Sequence, residues 1–316
     1  MSATTARIPH KVVTGFTDST PLLESPGELR QRADEDGFLF FKGFLPTDLV
    51  LELRRQVLEI LDGHGWLKKG VDLMEGVGDR EAIARDAALD PEWVRICVGK
   101  QAYREIQALE LFHTLPHHPK LLAFYEMFFG EPVIPHPRHI ARVMMPADTL
   151  SPTPPHQDYI YIQGSHQFWT CWYPLGDCSM KLGGLSLLRG SHREEVLEVH
   201  RADGAGGFES LLCDMDYTWV QGDYECGDFV TFPSHFVHKS LPTQYPDRIR
   251  ISSDTRYQPV TAEFQEKSLQ PHLRHTTWEE IYSGWKSDQL KYYWQKYPLR
   301  MSEWDSSIVE PTNRIC

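Results

Sequence analysis

The segment Thr153-Pro154-Pro155-His156-Gln157-Asp158 sets an imidazole and a carboxylate two residues apart. On an extended chain, residues i and i+2 point to one face, so His156 and Asp158 can reach a single metal ion together. A third ligand must come from elsewhere. His238 follows the strand-like run Phe229-Val230-Thr231-Phe232, with His235 as a rival three residues earlier. Three residues apart on one strand they would point to opposite faces, so only one of them can serve. Two histidines and one carboxylate cover one face of an octahedron and leave three positions open. That donor set suits non-haem Fe(II), with room for a bidentate cosubstrate and O2. With 15 His and 44 acidic residues, an HxD triplet arises by chance. Its meaning comes from its place in a β-rich stretch with a distant partner histidine.

A metal of this kind that uses a dicarboxylate cosubstrate also needs a fixed cation. Arginine fits, because its planar fork makes two parallel hydrogen bonds to a carboxylate. Arg248, Arg250 and Arg256 follow His238 on a predicted strand, and Arg248, Arg250 and Ser252 share a face by alternation.

These side chains need a scaffold. Short runs rich in Val, Ile, Phe, Tyr and Trp, divided by Gly, Pro, Asp and Ser, fill residues 133–257. Strands are predicted at 138–145, 167–174, 184–188, 228–233 and 248–257. The pattern predicts a mainly β protein with flanking helices, its core a jelly-roll or cupin-like double sheet. Ser25-Pro26-Gly27-Glu28 opens a helix that stops at Gly37. Leu49, Leu53, Val57, Ile60 and Leu61 fall at helical spacing up to Gly63. Another helix spans Pro119 to Phe129 and ends at Gly130, and helix is modestly favoured between 64 and 116. After the β core, an extension over 260–316 carries a capping box at Thr277-Trp278-Glu279-Glu280 and a predicted helix over 288–297. Residues 1–24 read as a flexible arm, and 25–316 as one domain.

The composition excludes several functions. A formal net charge of −12 without a Lys/Arg run argues against binding nucleic acid or an anionic membrane surface. No apolar stretch approaches the length of a membrane span, and the N-terminus has no signal-peptide pattern. Six scattered cysteines without a CxxC read as mostly free thiols in a reducing compartment. The expectation is a soluble cytoplasmic protein with a small-molecule substrate.

Four segments in order resemble the phytanoyl-CoA dioxygenase family. They are Glu35-Asp36-Gly37-Phe38-Leu39 through Lys42-Gly43-Phe44-Leu45, then His156-Gln157-Asp158, then Gly183-Gly184-Leu185 through Gly190-Ser191-His192-Arg193, and Gly227-Asp228-Phe229-Val230 through His238-Lys239-Ser240 with Arg248-Ile249-Arg250-Ile251-Ser252 in register. The resemblance implies a double-stranded β-helix core, with Fe(II), 2-oxoglutarate and O2 as cofactors. His156, Asp158 and His238 match the iron ligands, which favours His238 over His235. Arg248 matches the 2-oxoglutarate arginine, with Arg250 as its rival. Gln157, Trp172 and Ser240 match cosubstrate contacts. Lys239 departs from the family's usual Gly, and a charge there could alter access to the pocket. His192 is expected to close a turn rather than to ligate. Tyr159, Tyr161, Gln163, His166, Arg142 and Trp169 are candidates for a substrate pocket. The implied reaction is hydroxylation of an unactivated C–H bond with release of succinate and CO2. Asp158 disfavours halogenation, while desaturation, cyclisation and epimerisation stay open. The alternatives outside that chemistry are an inactive jelly-roll binding module and a cupin-type isomerase or dioxygenase that uses no cosubstrate.

Overall fold

A computed structural model describes residues 11–89, 93, 98–146, 151–213 and 215–314. Its strands are β1 (Val12–Thr14), β2 (Leu39–Phe41), β3 (Val133–Pro135), β4 (Ile140–Met144) and β5 (His156–Gln157). Then come β6 (Trp169–Pro174), β7 (Leu185–Arg189), β8 (Val199–Arg201), β9 (Phe208–Ser210) and β10 (Thr218–Gln221). The series continues with β11 (Phe229–Pro233), β12 (Val237–Ser240), β13 (Arg250–Pro259), β14 (Glu263–Gln265) and β15 (Arg300–Ser302).

Two larger sheets hold the architecture together. One has five strands in the order β1-β10-β7-β12-β5; the other has six, β2-β11-β6-β13-β3, with β4 also on β13. Sequence alternation explains how they pack. Residues directly opposite one another in antiparallel strands share a face. Phe40, Val230, Trp172 and Asp254 are aligned this way across the six-stranded sheet, and Leu39, Thr231, Cys171 and Thr255 lie on its reverse. Phe40, Trp172 and Val230 share a core with Leu185, Leu187 and Val220 of the five-stranded sheet. The reverse face, with Leu39, Cys171 and Tyr257, packs against helical residues such as Leu53, Ile106 and Phe124. Both faces of the six-stranded sheet are therefore covered, and every residue of β13 is buried. The result is a mixed α/β fold with several sheets flanked by helices.

The helices form where the apolar spacing and end signals place them. Pro26–Asp36 has Pro in its first turn and ends on Gly37, at φ 82°, the left-handed conformation that glycine adopts without a Cβ penalty. Thr47–Gly63 buries Val50, Leu53, Val57, Leu58 and Leu61, and Pro119–Phe129 is capped by Gly130. Helices Arg80–Ala87, Lys100–Gln107 and Glu110–Thr114 occupy the stretch where helix was only modestly favoured.

Two expectations need correction. Residues 12–14 are no loose arm: β1 adds a parallel strand to β10, and Ser19 donates its backbone N–H to the Phe40 carbonyl. The predicted helix over 288–297 is reduced to the 3-10 turn Tyr293–Lys296, since Tyr292 sits at φ 51°, outside helical space. The capping box at Thr277 and Glu280 does form, but it starts only the short helix Trp278–Tyr282. Of the described cysteines, Cys171, Cys178 and Cys226 are free, whereas Cys213 is disulfide-bonded; Cys97 and Cys316 lie outside the described residues. Among the described residues, no helix is long and apolar enough to cross a membrane.

Candidate metal centre

Register brings the two ligand histidines together. His238 of β12 lies directly opposite His156 of β5, so both imidazoles emerge on one face with ring centroids 4.2 Å apart. Asp158 arrives differently from the extended-strand expectation. β5 ends at Gln157, and Asp158 takes a helical conformation (φ −63°, ψ −26°) as the cap of the short helix Tyr159–Ile162. That turn still leaves Asp158 Oδ1 3.7 Å from His156 Nε2. One ligand atom from each of the three residues falls within 4.8 Å of the others, and all three residues are buried.

The surroundings prepare these atoms for a cation. His156 Nδ1 donates to the Pro154 carbonyl at 2.8 Å, and His238 Nδ1 to the Phe236 carbonyl at 3.3 Å. Each bond fixes the tautomer in which Nε2 carries a free lone pair. Burial pushes both imidazoles down, His238 to about 3, so they are neutral at physiological pH, the form that metal ligation requires. Burial alone would raise the Asp158 carboxyl. Arg256, the two histidines and Thr170 outweigh it and hold Asp158 well below the usual carboxylate range. Its Oδ2 accepts from Thr170 Oγ1 at 2.5 Å and from Arg256 at 2.8 Å, which leaves Oδ1 to face the histidines. Arg256 is pinned in turn by Asp254 at 2.7 Å. A set of two neutral imidazoles and one oriented carboxylate oxygen fits Fe(II).

A cavity opens beside the triad. Its walls include Trp172, Leu185, Phe232, Ser240, Arg142 and Arg250, together with His156 and His238. Arg250 is buried; it donates to Ser252 Oγ at 2.7 Å and lies 6.0 Å from the Trp172 ring centre. Trp172 and Ser240 line this cavity, and Arg250 is with them. Arg248 is not. It sits before β13, over a third exposed, and binds Glu75 at 2.6 Å, because the backbone there bridges to Val77 instead of continuing the sheet. Gln157 is also absent from the cavity. Next to His156 in the strand, it points to the opposite face, where its amide donates to the carbonyls of Glu195 and His235 and accepts from the Leu197 N–H.

Other candidates resolve as structure. His235 lies in the turn before β12 and stacks on Tyr159 and His166. His192 binds the Asp34 carbonyl, as expected of a turn-closing residue, while Ser191 accepts from the Val237 N–H beside His238. Lys239 turns away from the pocket and lies 4.3 Å from the centre of the Trp219 ring. Gln163, at φ 52°, exchanges two hydrogen bonds of 2.8 Å with the Asp305 backbone. Trp169 packs edge-on against Phe128, away from the cavity walls, and Tyr161 stands 5.6 Å from the His156 ring. Sequence reasoning named Arg256 only among the candidate cations for a cosubstrate carboxylate, and gave no role to Thr170 and Asp254. Alternation along β13 was the available signal, because Arg250, Ser252, Asp254 and Arg256 share a parity.

The model of the family described as phytanoyl-CoA dioxygenase (PhyH) matches residues 33–250. Among curated proteins, the chain is 31% identical to 1-deoxypentalenic acid 11-beta-hydroxylase of Streptomyces arenae over 269 residues, 81% of this chain and 89% of the relative. It is 30% identical to the enzyme of the same name from Streptomyces exfoliatus, over the same shares. Among solved structures, the epimerase SnoN in complex with Fe3+, alpha ketoglutarate and nogalamycin RO aligns with a TM-score of 0.53 at 19% identity, covering 76% of this chain and 86% of that one. At that identity, the likeness speaks for the fold alone.

Proposed function

Because the chain belongs to the phytanoyl-CoA dioxygenase family and is an Fe(II)- and 2-oxoglutarate-dependent oxygenase of a small molecule, we propose that it hydroxylates an unactivated C–H bond of that substrate. The observation that carries this reading is the convergence of His156, Asp158 and His238 beside a cavity that also holds a buried arginine. The two sheets are read as the halves of a double-stranded β-helix, and residues 25–316 as one catalytic domain to which β1 also contributes.

His156 and His238 would hold Fe(II) through Nε2, and Asp158 through Oδ1. Arg250, rather than Arg248, anchors the distal carboxylate of 2-oxoglutarate. Its guanidinium is already desolvated and oriented by Ser252, so little freedom is lost when the fork engages a carboxylate. Trp172, Leu185 and Phe232 give the cavity apolar walls that limit water near the reacting atoms. Once bound, Fe(II) and 2-oxoglutarate supply the oxidising chemistry, in which O2 is consumed, succinate and CO2 are released, and a substrate C–H bond becomes C–OH. The protein needs no acid or base of its own for that step; its residues fix positions.

The test is succinate formation by protein reconstituted anaerobically with Fe(II), then given 2-oxoglutarate and O2, beside Asp158→Ala. 1-Deoxypentalenic acid, the substrate named for the two Streptomyces relatives, is the first compound to add. Succinate from the wild type and none from the variant supports the reading. If the wild type produces no succinate and no 2-oxoglutarate-dependent Fe(II) absorbance, the chain behaves as a binding module and the reading is lost.

A further inference from the structure

The chain carries 44 acidic and 32 basic residues, yet its cavity is rich in arginine. Arg142 lines it with one loose ion pair, and Arg138 lies close to Arg142 but outside the lining residues. Arg142 projects from β4 opposite Ser252, on the face that carries Arg250, and lines the same cavity as His156 and His238. Its nearest carboxylate oxygen, Asp254 Oδ1, is 3.8 Å away, beyond hydrogen-bond reach. The other oxygen of Asp254 is already held by Arg256. Arg138 lies two residues before β4, and its Nε is shielded from water with no hydrogen-bond partner. Burial pushes the Arg138 guanidinium down to about 10, and the nearby cations of Arg256, Arg142 and Arg274 push the same way. Leu273 and Arg274 are consecutive non-glycine residues at positive φ, 62° and 53°. Such conformations are costly for non-glycine residues and persist where the surroundings demand them.

Charge pairing separates these two arginines from the rest of the site. Asp158 and Asp254 flank Arg256. An incoming 2-oxoglutarate dianion would balance Fe(II), and its distal carboxylate would engage Arg250. Among the described residues, Arg142 then keeps only a loose share of Asp254, which Arg256 already holds, and Arg138 has no ion pair. A desolvated cation without a counter-ion is costly, and the relief available is an anionic group arriving with the substrate.

We propose that Arg142 and Arg138 form a second anion subsite, which seats a carboxylate of the substrate beside the metal centre, so that the substrate is a small organic acid with an apolar body. The apolar part faces Trp172, Leu185 and Phe232. The proposal rests on the reading of the metal centre given above. It also separates two arginine functions: Arg250 serves the cosubstrate and Arg142 the substrate.

The test uses the full chain loaded with Fe(II) and 2-oxoglutarate. The probes are saturated carboxylic acids, linear and polycyclic, each beside its methyl ester. Binding is followed anaerobically by tryptophan fluorescence, and turnover by succinate. At least one acid should bind roughly tenfold more tightly than its ester. Arg142→Met and Arg138→Met should each weaken that acid by about 10- to 100-fold, the scale expected when one partner of a buried charge pair is removed. The dissociation constant of 2-oxoglutarate, read from its Fe(II) absorbance, should stay within about twofold, and Arg142→Lys should recover part of the acid affinity. Esters binding as well as acids, no acid binding at all, or a variant that weakens 2-oxoglutarate instead of the acid would each overturn the proposal. Absence of the Fe(II)–2-oxoglutarate absorbance in the wild type would instead sink the reading of the metal centre.

Discussion

Two histidine pairs lie on the same two stretches of chain and end in opposite situations. His156 and His238 face each other across the β5–β12 ladder, buried, with each Nδ1 tied to a backbone carbonyl and each Nε2 turned towards Asp158. His166 and His235, ten residues after the one and three before the other, stack on Tyr159 with His166 Nδ1 2.9 Å from His235 Nε2. Both pairs bring two imidazoles close. Among the described residues, only the first has a carboxylate in reach and a carbonyl to set the tautomer of each ring. Proximity of histidines therefore does not make a metal centre; the groups behind the rings do.

The comparison is sharpest at Asp158. Asp158→Ala or His238→Ala should reduce bound iron and succinate to background, because each removes a ligand atom, and metal analysis beside a succinate assay checks both. Arg250→Met should keep the iron but raise the 2-oxoglutarate requirement by roughly 100-fold, the scale of truncating one partner of a buried charged contact. A normal 2-oxoglutarate titration in this variant would return the anchoring role to Arg248. Arg256→Met strips Asp158 of its buried ion pair. Iron affinity should fall about 10- to 100-fold, with a folding loss of about 3–5 kcal/mol because Asp254 and Asp158 lose their shared cation. Chemical denaturation of the apoprotein would read the second effect separately from the first.

The smallest effects belong to the outer pair. His166→Ala or His235→Ala should leave bound iron and succinate within about twofold of the wild type. A loss as large as that of His238→Ala would erase the distinction between the pairs. A pH signature is expected as well. Burial, aided by His166, lowers the His235 imidazole to about 4, so the folded state resists a proton that the unfolded chain takes up near 6.5. Between those values the unfolded state binds more protons, and stability falls as pH drops through the window. Melting temperatures of wild type and His235→Ala across that range should show the shallower slope in the variant.

How much of this was legible follows the range of the interactions involved. The ligand triad could be read because HxD spacing and a strand-end histidine are local patterns, and helix ends at Gly37, Gly63 and Gly130 are local too. The choice between Arg248 and Arg250 was not. Both have the same parity, and what separates them is the pairing of Arg248 with Glu75 and Val77, more than 170 residues away. The same holds for β1, three residues whose partner strand lies some two hundred positions on. The predicted helix near the C-terminus failed for a related reason. Its aromatic residues are buried with Ile134, Phe264 and Trp285, and that packing, with Tyr292 in a left-handed conformation, outweighs helical propensity. Arg256, which bridges Asp158 and Asp254, was visible in the alternation of β13, but its meaning depended on where Asp158 points.

The clasp between Gln163 and Asp305 joins the turn that carries Asp158 to a residue 142 positions further along the chain. During synthesis, His156 and Asp158 leave the ribosome long before His238, and the backbone that holds their turn emerges later still. The three donors are therefore on the chain before the clasp that fastens their turn. A nascent protein stalled before Asp305 would hold all three donors yet lack the fastening of the loop between them.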